Sequence, residues 1–231
     1  MKFIHTSDWH IGNYFSDFSK IENEELSNGR IRTIESIFIY ADKFNIPMII
    51  VSGDQFDSDN IDESLVLKIF NIIKNYKDIK VIMITGNHDP FTPNSIYNKI
   101  NSSHYPDNLL FTKDRDIIFL KEYNCKIYTS SLKSKNSKEN PIDWIDDENL
   151  DDVIKIAVCH GSIMIDGKYS EHDFPIPIDI DKKKKLDYVA MGHFHSYLKI
   201  NDRIYYPGTP EQLQFKDNGS ALVVDIEKNN T

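Results

Sequence analysis

Short clusters of acidic residues and histidines, the side chains that bind divalent metals, interrupt the apolar segments of this sequence. Asp8-Trp9-His10 follows an apolar opening segment, and Gly192-His193-Phe194-His195 repeats the same alternation far downstream. On an extended chain, residues i and i+2 project to the same side, so each cluster would present two ligands in one direction. The aromatic residue between them would point into the packed interior. This spacing predicts that both clusters contribute to one metal site.

Three further clusters lie between these two and also follow apolar segments. They are Gly53-Asp54-Gln55-Phe56-Asp57, Gly86-Asn87-His88-Asp89 and Cys159-His160-Gly161. A single histidine at a strand end is most often a hydrogen-bonded structural residue. Five of the eight histidines fall in such clusters beside Asp and Asn, and a binding site explains that grouping better. The structural interpretation is kept for His5, His104 and His172, which belong to no cluster.

The clusters supply enough ligands for two metal ions. The predicted ligands are Asp8, His10, Asp54, Asn87, His160, His193 and His195. Histidine binds as the neutral imidazole and Asn through its amide oxygen, so only the two aspartates bring negative charge. Two divalent ions with a bridging hydroxide would keep a net positive charge, which suits a phosphate ester. Asp54 is the candidate to bridge ions about 3.5–4 Å apart. Mixed imidazole and carboxylate ligation favours Mn, Fe or Zn over Mg or Ca.

Three residues of these clusters remain outside the ligand set and are candidates for supporting roles. His88 could face the substrate, as a general acid for the leaving oxygen or as a cation that stabilises the transition state. Asp89 could orient His88 as a supporting carboxylate. Asp57 could support Asp54 or His10 in the same way, or it could lie at a helix N-terminus, and the sequence leaves both roles open.

Alternating strands and helices must carry these clusters. Apolar spacing predicts strand, helix, strand, helix and strand at Lys2–Thr6, Gly29–Phe44, Pro47–Ser52, Asp62–Tyr76 and Ile79–Thr85. This order implies parallel strands with right-handed crossovers, and ligand sites of such sheets assemble where the strands end. Further strands are predicted at Leu109–Thr112, Asp116–Phe119, Lys126–Ser130, Val153–Cys159, Tyr188–Met191, Tyr197–Ile200, Arg203–Tyr206 and Ala221–Ile226. Loops are predicted at Ser131–Asn140 and Gly161–Lys185. We expect two sheets packed together with helices outside.

Composition sets the class of protein. The 231 residues are 40% hydrophobic and 27% charged, which is an ordinary composition for a soluble globular protein. No apolar run reaches the roughly 18 to 20 residues of a membrane span, and no signal peptide is evident. Two distant cysteines, Cys125 and Cys159, favour a reducing, cytoplasmic setting. The net charge of −9 argues against a basic surface that coats nucleic acid, although bound metal ions could supply local positive charge to a nuclease.

The motifs D-x-H, G-D-x-x-D, G-N-H-D, H-G and G-H-x-H, in this order, resemble those of the calcineurin-like metallophosphoesterase superfamily. The finer sequence is similar to SbcD-type DNA repair exonucleases, in the stretches HTSDWHIG, SGDQFD, ITGNHD, CHGS, DYVAMGHFH and YYPGTPEQLQF. The last stretch is the most informative, because generic phosphatases of the superfamily do not usually carry it.

The resemblance implies an α/β fold, a four-layer αββα sandwich of two mixed sheets flanked by helices. It also implies a dinuclear, manganese-dependent phosphodiesterase that cleaves DNA, typically with an SMC-like ATPase partner. By motif, one metal would take Asp8, His10, Asp54 and His195, and the other Asp54, Asn87, His160 and His193. His88 matches the catalytic histidine of the family. Because relatives associate through their first helices, a homodimer is a further expectation.

The last predicted strand ends shortly before Thr231. We therefore expect residues 1–231 to form a single metallophosphoesterase domain, without a separate capping domain or a segment that binds the ATPase. Two enzymatic functions stay open: a DNA nuclease of the SbcD type, and a phosphatase or nucleotide phosphodiesterase that acts on small molecules or phosphoproteins. A noncatalytic binding module is disfavoured, because the predicted ligands and His88 are all present.

Overall fold

The fold is that of a computed structural model, which describes residues 1–148, 150, 152–165, 169–212 and 218–227. Its strands are β1 Lys2–Thr6, β2 Met48–Ser52, β3 Lys80–Ile84, β4 Leu109–Phe111, β5 Arg115–Leu120, β6 Cys125–Ser130, β7 Ile154–His160, β8 Tyr188–Gly192, β9 Leu198–Lys199, β10 Ile204–Tyr206 and β11 Leu222–Asp225. Its α-helices are α1 Lys20–Lys43, α2 Glu63–Asn75, α3 Ile96–Lys99 and α4 Ile180–Lys183, and short 3-10 helices span Ser102–His104 and Lys121–Tyr123.

The strands form two mixed sheets. The first has the order β11-β1-β2-β3-β4, and the second has the order β5-β6-β7-β8-β10-β9. Neighbouring strands from β1 to β4 are parallel, as are β6, β7, β8 and β10. The strands at three edges, β11, β5 and β9, run antiparallel to their neighbours. The parallel strands therefore end together on one side of each sheet, which places the polar clusters next to one another.

The two longer helices cover the outer face of the first sheet. Ile34 and Phe38 of α1 and Ile69 of α2 pack in one cluster with Ile49 of β2 and Val81 of β3. A capping box fixes the start of α1, since the Ser19 hydroxyl accepts the amide of Glu22 and the Glu22 carboxylate accepts the amide of Ser19. α1 begins at Lys20, whereas the sequence predicts a start at Gly29. The prediction misses the first turns of the helix because they are mostly polar and lack a regular apolar spacing.

The two sheets pack face to face through apolar residues. Phe3 and Ile50 of the first sheet share a buried cluster with Ile127, Ile156 and Val158 of the second. Because both faces of β2 are covered, its sequence is apolar throughout instead of alternating.

Chain segments between strands cover the outer face of the second sheet. Ile142, Ile163, Ile176 and Ile180 pack there against residues of β7 and β8 such as Val189. The predicted αββα sandwich is confirmed, with a fourth layer that consists of α4 and irregular backbone. The strands predicted from the sequence are all present, with ends that agree closely. The predicted loop at Gly161–Lys185 contains α4. No helix among the described residues is long and apolar enough to cross a bilayer.

Candidate metal centre

The polar clusters meet where β1, β2, β3, β7 and β8 end. Backbone contacts hold the first two clusters together, because the Asp8 amide donates to the Gly53 carbonyl at 3.0 Å and the His10 amide to the Asp54 carbonyl at 3.1 Å. The second sheet joins them through His160, whose Nδ1 lies 2.9 Å from the Ser52 carbonyl oxygen. Residues from both sheets therefore form one cluster at one end of the sandwich.

The backbone at these ligands is not extended, contrary to the prediction. Asp8, His10 and Asp54 have φ values of 53°, 44° and 54°, in the left-handed region. For residues with a Cβ this region costs about 1 kcal/mol or more, which the interstrand hydrogen bonds at these positions offset. The alternation itself is confirmed: between Asp8 and His10, Trp9 is buried in the apolar cluster that includes residues of α1 and α2, and its indole Nε1 donates to Thr6 Oγ1 at 3.0 Å.

One half of the site gathers around His10. Its Nε2 lies 3.1 Å from His195 Nε2, 4.0 Å from Asp8 Oδ1 and 3.9 Å from Asp54 Oδ2. Asp8, His10 and His195 each offer a ligand atom within 4.8 Å of the others, which is a spacing that one metal ion can bridge.

The other half gathers around His160. Its Nε2 lies 2.9 Å from Asn87 Oδ1 and 3.3 Å from Asp54 Oδ2. His193 Nδ1 lies 3.1 Å from the same Asn87 oxygen. Asp54 thus contacts histidines of both halves, and the structure brings all seven predicted ligands together.

The charges in this cluster fit divalent cations. Asp8 and Asp54 are fully or almost fully buried, and the ion pairs of both carboxylates are with histidines alone among the described residues. A buried carboxylate needs a compensating positive charge. The surrounding imidazole, carboxylate and amide groups are ligands for Mn, Fe or Zn, so the donor set suits a metal centre.

Protonated histidines take over this compensating role where no cation is bound. Burial acts to lower the pKa of His160, but the charges of Asp54 and Asp8 outweigh it and raise that pKa to about 9. Burial likewise opposes protonation of His10, yet its bond to Asp57 and the nearby Asp54 raise its pKa. The pKa of Asp54 is lowered, because the charge of His160 outweighs the effect of burial. Burial lowers the pKa of His195.

His88 lies at the rim of the site. Its side chain is 42% exposed, and its ring packs edge-on against the ring of His10 at a centroid distance of 4.7 Å. The His88 amide donates to Asp54 Oδ1 at 2.8 Å, and Nδ1 lies 3.0 Å from the Asp57 carbonyl oxygen. Because a carbonyl only accepts, Nδ1 carries the hydrogen, which leaves the second ring nitrogen to exchange a proton with a substrate.

Asp57 supports His10, one of the two roles left open from the sequence. Its Oδ1 lies 2.9 Å from His10 Nδ1. This contact directs the other nitrogen of the His10 ring toward the ligand cluster. Arg30 is a supporting residue that the motifs do not predict: its Nη1 donates to the His10 carbonyl at 2.9 Å and helps to fix the backbone there. Arg30 lies four residues before Ile34 and seven before Ile37, so helical spacing places it on the buried face of α1. A charged residue on that face is the signal in the sequence that could have identified it.

Asp89 does not orient His88, contrary to the prediction. Its Oδ1 accepts the Gly86 amide at 2.8 Å, and its Oδ2 accepts the amides of Gln55 and Phe56 at 3.1 Å and 3.2 Å. The Tyr97 hydroxyl also lies 2.7 Å from Oδ2. Burial and the charge of Asp54 raise the pKa of Asp89 to about 6. Asp89 therefore joins the ends of β2 and β3, and it acts on the site through their backbone.

The YYPGTPEQLQF stretch supports His195. The Thr209 amide donates to the His195 carbonyl at 2.8 Å. A Cβ at Gly208, where φ is +77°, would lie 2.7 Å from the same carbonyl oxygen, so glycine is needed for this approach. The Leu213-Gln214-Phe215 end of the stretch lies outside the described residues.

Comparisons with known proteins agree with this geometry. The sequence profile described as Calcineurin-like phosphoesterase matches residues 1–197. The chain is 24% identical over 264 residues to the D subunit of the nuclease SbcCD of Staphylococcus epidermidis, an alignment that covers 99% of this chain and 67% of that protein. TT1561 of Thermus thermophilus has a similar fold, with a TM-score of 0.56 at 11% identity over 90% of this chain and 88% of that one. The chain therefore belongs to the calcineurin-like phosphoesterase family, whose members are dinuclear metal-dependent phosphoesterases.

Proposed function

We propose that this protein hydrolyses phosphodiester bonds of DNA, as a nuclease of the SbcD type that uses two divalent cations, Mn²⁺ above all. The observation that carries the proposal is the position of His88. It is a half-exposed imidazole at the rim of a buried cluster of metal-ligand residues, where a bound phosphoester could reach it.

The seven clustered side chains would hold the cations. Asp8, His10, Asp54 and His195 would hold one, and Asp54, Asn87, His160 and His193 the other. When bound, the cations would supply Lewis-acid activation of water and of the phosphoryl oxygens. Asp54 is the bridging candidate, since its Oδ2 lies 3.9 Å from the ligand nitrogen of His10 and 3.3 Å from that of His160.

His88 would donate a proton to the leaving oxygen. The Asp57 carbonyl holds its Nδ1 hydrogen, so the second ring nitrogen gains and loses the transferable proton. When that nitrogen is protonated, the imidazolium would also stabilise the negative charge that develops on the phosphoryl group. The edge-on contact with His10 and the bond to the Asp57 carbonyl both orient this ring.

DNA is the proposed substrate because of the relative and the motifs. The similar Staphylococcus epidermidis protein is named as one component of a nuclease, and this chain aligns over almost its whole length. We extend the DNA substrate to this chain on that likeness. A homodimer, a cytoplasmic location and a single domain formed by residues 1–231 are parts of the same proposal. An SMC-like ATPase partner is proposed from the likeness to the SbcCD subunit alone.

A phosphatase or nucleotide phosphodiesterase is the second candidate. The net charge of −9 favours it, since a long polyanion is repelled by an acidic surface, whereas a small phosphoester meets mainly the local charge of the metal site.

A substrate panel tests the two functions. Purified protein is incubated with Mn²⁺ and end-labelled single-stranded or double-stranded DNA, and separately with nucleotides, a phosphopeptide and nitrophenyl phosphate esters. We expect Mn²⁺-dependent DNA cleavage that is lost in Asp54→Ala and His88→Ala and retained in His104→Ala, which replaces an exposed histidine outside the site. Larger kcat/KM values for nucleotides or phosphopeptides than for DNA would select the second candidate.

A further inference from the structure

A carboxylate on the long loop between β7 and β8 contacts a predicted ligand of the metal centre. Asp173 Oδ2 lies 2.7 Å from His193 Nε2. The other nitrogen of that ring, Nδ1, lies 3.1 Å from Asn87 Oδ1 and belongs to the cluster of ligand atoms. No pattern in the sequence marks Asp173, because it lies in a segment without periodicity and outside every motif.

The chemistry of the contact determines which nitrogen of His193 can bind a metal. An ionised carboxylate only accepts hydrogen bonds, so the hydrogen of the neutral ring lies on Nε2. Nδ1 then keeps its lone pair, which a metal ion requires.

The surrounding structure holds Asp173 in place from several sides. The Ser162 hydroxyl donates to Asp173 Oδ2 at 2.7 Å, and the Ser162 amide donates to the Asp173 carbonyl at 3.0 Å. The next amide, that of Phe174, donates to the Ser137 carbonyl at 2.9 Å. These contacts fix the backbone and one side-chain oxygen before any metal binds.

Gly161 of the H-G motif makes this arrangement sterically feasible. A Cβ at that position would lie 2.5 Å from the Phe174 carbonyl oxygen and 2.7 Å from the Phe174 Cβ. The absence of a side chain therefore lets the Asp173 segment pack directly against the end of β7. The glycine that follows His160 thus also makes room for the contact between Asp173 and a second predicted ligand, His193.

An equivalent pair exists in the other half of the site. Asp57 Oδ1 lies 2.9 Å from His10 Nδ1, and the opposite nitrogen, Nε2, faces the ligand cluster. Asp57 follows β2, whereas Asp173 lies on the loop after β7, so two unrelated segments provide the same contact. Each proposed metal position thus has one histidine whose far nitrogen is held by a carboxylate.

We propose that Asp173 is a positioning residue, which holds His193 in the tautomer and orientation that leave Nδ1 free to bind a divalent cation. The role rests on the proposed metal centre. It goes beyond that centre, because it makes metal binding in one half depend on a residue outside the motifs. Loss of such a supporting carboxylate typically weakens metal binding about 10–100-fold.

Titration with Mn²⁺, followed by electron paramagnetic resonance and isothermal calorimetry, tests this role without an activity assay. In the wild-type protein we expect two bound ions with a spin-coupled signal. In Asp173→Ala, one ion should bind about 10–100-fold more weakly, so that an isolated Mn²⁺ signal appears at concentrations that fill both wild-type sites. Asp173→Asn should recover most of the affinity, because its amide oxygen can accept the Nε2 hydrogen.

Two comparisons separate positioning from a general structural role. Asp179→Ala removes an exposed carboxylate of the same loop and should bind both ions as the wild type does. The metal-free Asp173→Ala protein should retain a melting temperature close to that of the wild type. The positioning role would be overturned if Asp173→Ala bound both ions as tightly as the wild type. It would also be overturned if the variant bound both ions equally weakly and had a much lower melting temperature. A wild-type protein that does not bind two ions would overturn the dinuclear centre itself, and the role with it.

Discussion

The Nε2 atoms of His10 and His195 lie 3.1 Å apart, although 185 residues separate the two histidines. The other nitrogen of His10 is engaged by Asp57. Two imidazole nitrogens at this distance repel each other if both present lone pairs, and a cation or a proton between them removes the repulsion. The pair therefore makes proton binding and metal binding compete at this end of the site.

The first prediction is that metal affinity rises with pH. In the metal-free protein the pKa of His160 is raised to about 9 and that of His10 is raised as well, so both imidazoles hold protons more tightly than a free histidine does. Metal binding must release these protons. The Mn²⁺ dissociation constant should therefore fall between pH 6.5 and 9, by about tenfold per pH unit for each proton released.

Calorimetry in buffers of different ionisation enthalpy measures this release directly, because the buffer enthalpy scales with the number of protons. We expect at least one proton per bound ion pair at pH 7.5. In the metal-free protein, the stability that the protonated histidines contribute through their pairs with aspartate is complete below the pKa of histidine in the unfolded chain, about 6.5. It declines as pH rises toward 9. A dissociation constant that stays flat over this range would refute the competition.

The second prediction concerns His88. His88→Ala should lower kcat on the preferred phosphoester about 10²–10⁴-fold, since the leaving oxygen loses its proton donor. The Mn²⁺ dissociation constants should change little, because the contact of this residue with Asp54 runs through its backbone amide, which the substitution keeps. Leaving groups of low pKa need no proton, so the deficit should shrink on nitrophenyl esters. An equal deficit on all leaving groups would contradict general-acid catalysis.

The clustering of the proposed ligands could be predicted from the sequence because its signal is local. Each proposed ligand ends an apolar strand or lies within about four residues of its end, and the β-α-β order brings these ends together. The strands could be predicted for the same reason, since buried parallel strands are short apolar runs. The supporting role of Asp57 beside His10 could also be considered from the sequence, because Asp57 belongs to the same cluster as Asp54.

The remaining features depend on tertiary contacts. Asp173 reaches His193 through a loop whose path the sequence does not specify. The left-handed backbone of Asp8 and His10 arises because their amides bond to the adjacent cluster after β2, and an isolated strand pattern favours an extended chain. The predicted pairing of Asp89 with His88 rests only on their being adjacent in the sequence. In the structure, Asp89 instead accepts hydrogen bonds from backbone amides that follow β2.

The third prediction follows from those hydrogen bonds. Asp89→Ala would leave the buried amides of Gly86, Gln55 and Phe56 without their acceptor. Each unsatisfied buried amide costs about 1–3 kcal/mol, so we expect the free energy of unfolding to fall by at least about 3 kcal/mol. Urea denaturation of the metal-free protein measures this change.

A helix-capping aspartate provides the comparison for Asp89. Asp62 accepts the Ser64 amide at the exposed start of α2, and its loss should cost only about 1 kcal/mol. If the two alanine variants proved equally stable, Asp89 would not hold the ends of β2 and β3 together.

The fourth prediction is a pH dependence of stability that arises from His5. This histidine is buried between the sheets, where Nδ1 lies 2.9 Å from the Tyr188 hydroxyl and Nε2 lies 3.0 Å from Ser52 Oγ. Burial lowers its pKa to about 3, whereas the unfolded chain has a pKa near 6.5. Between these values the unfolded state binds a proton that the folded state excludes. The stability that His5 contributes is therefore complete above about pH 6.5 and declines as pH falls toward 3.

His5→Gln removes this titration and keeps a hydrogen-bonding side chain between the sheets. The unfolding free energy of the wild type, taken relative to that of the variant, should fall by about 1.4 kcal/mol for each pH unit from pH 6 down to pH 4. Other titrating groups are common to both proteins, so their effects cancel in the difference. Urea denaturation of the two metal-free proteins at several pH values measures it. A difference independent of pH would show that folded His5 takes up a proton as readily as the unfolded chain does.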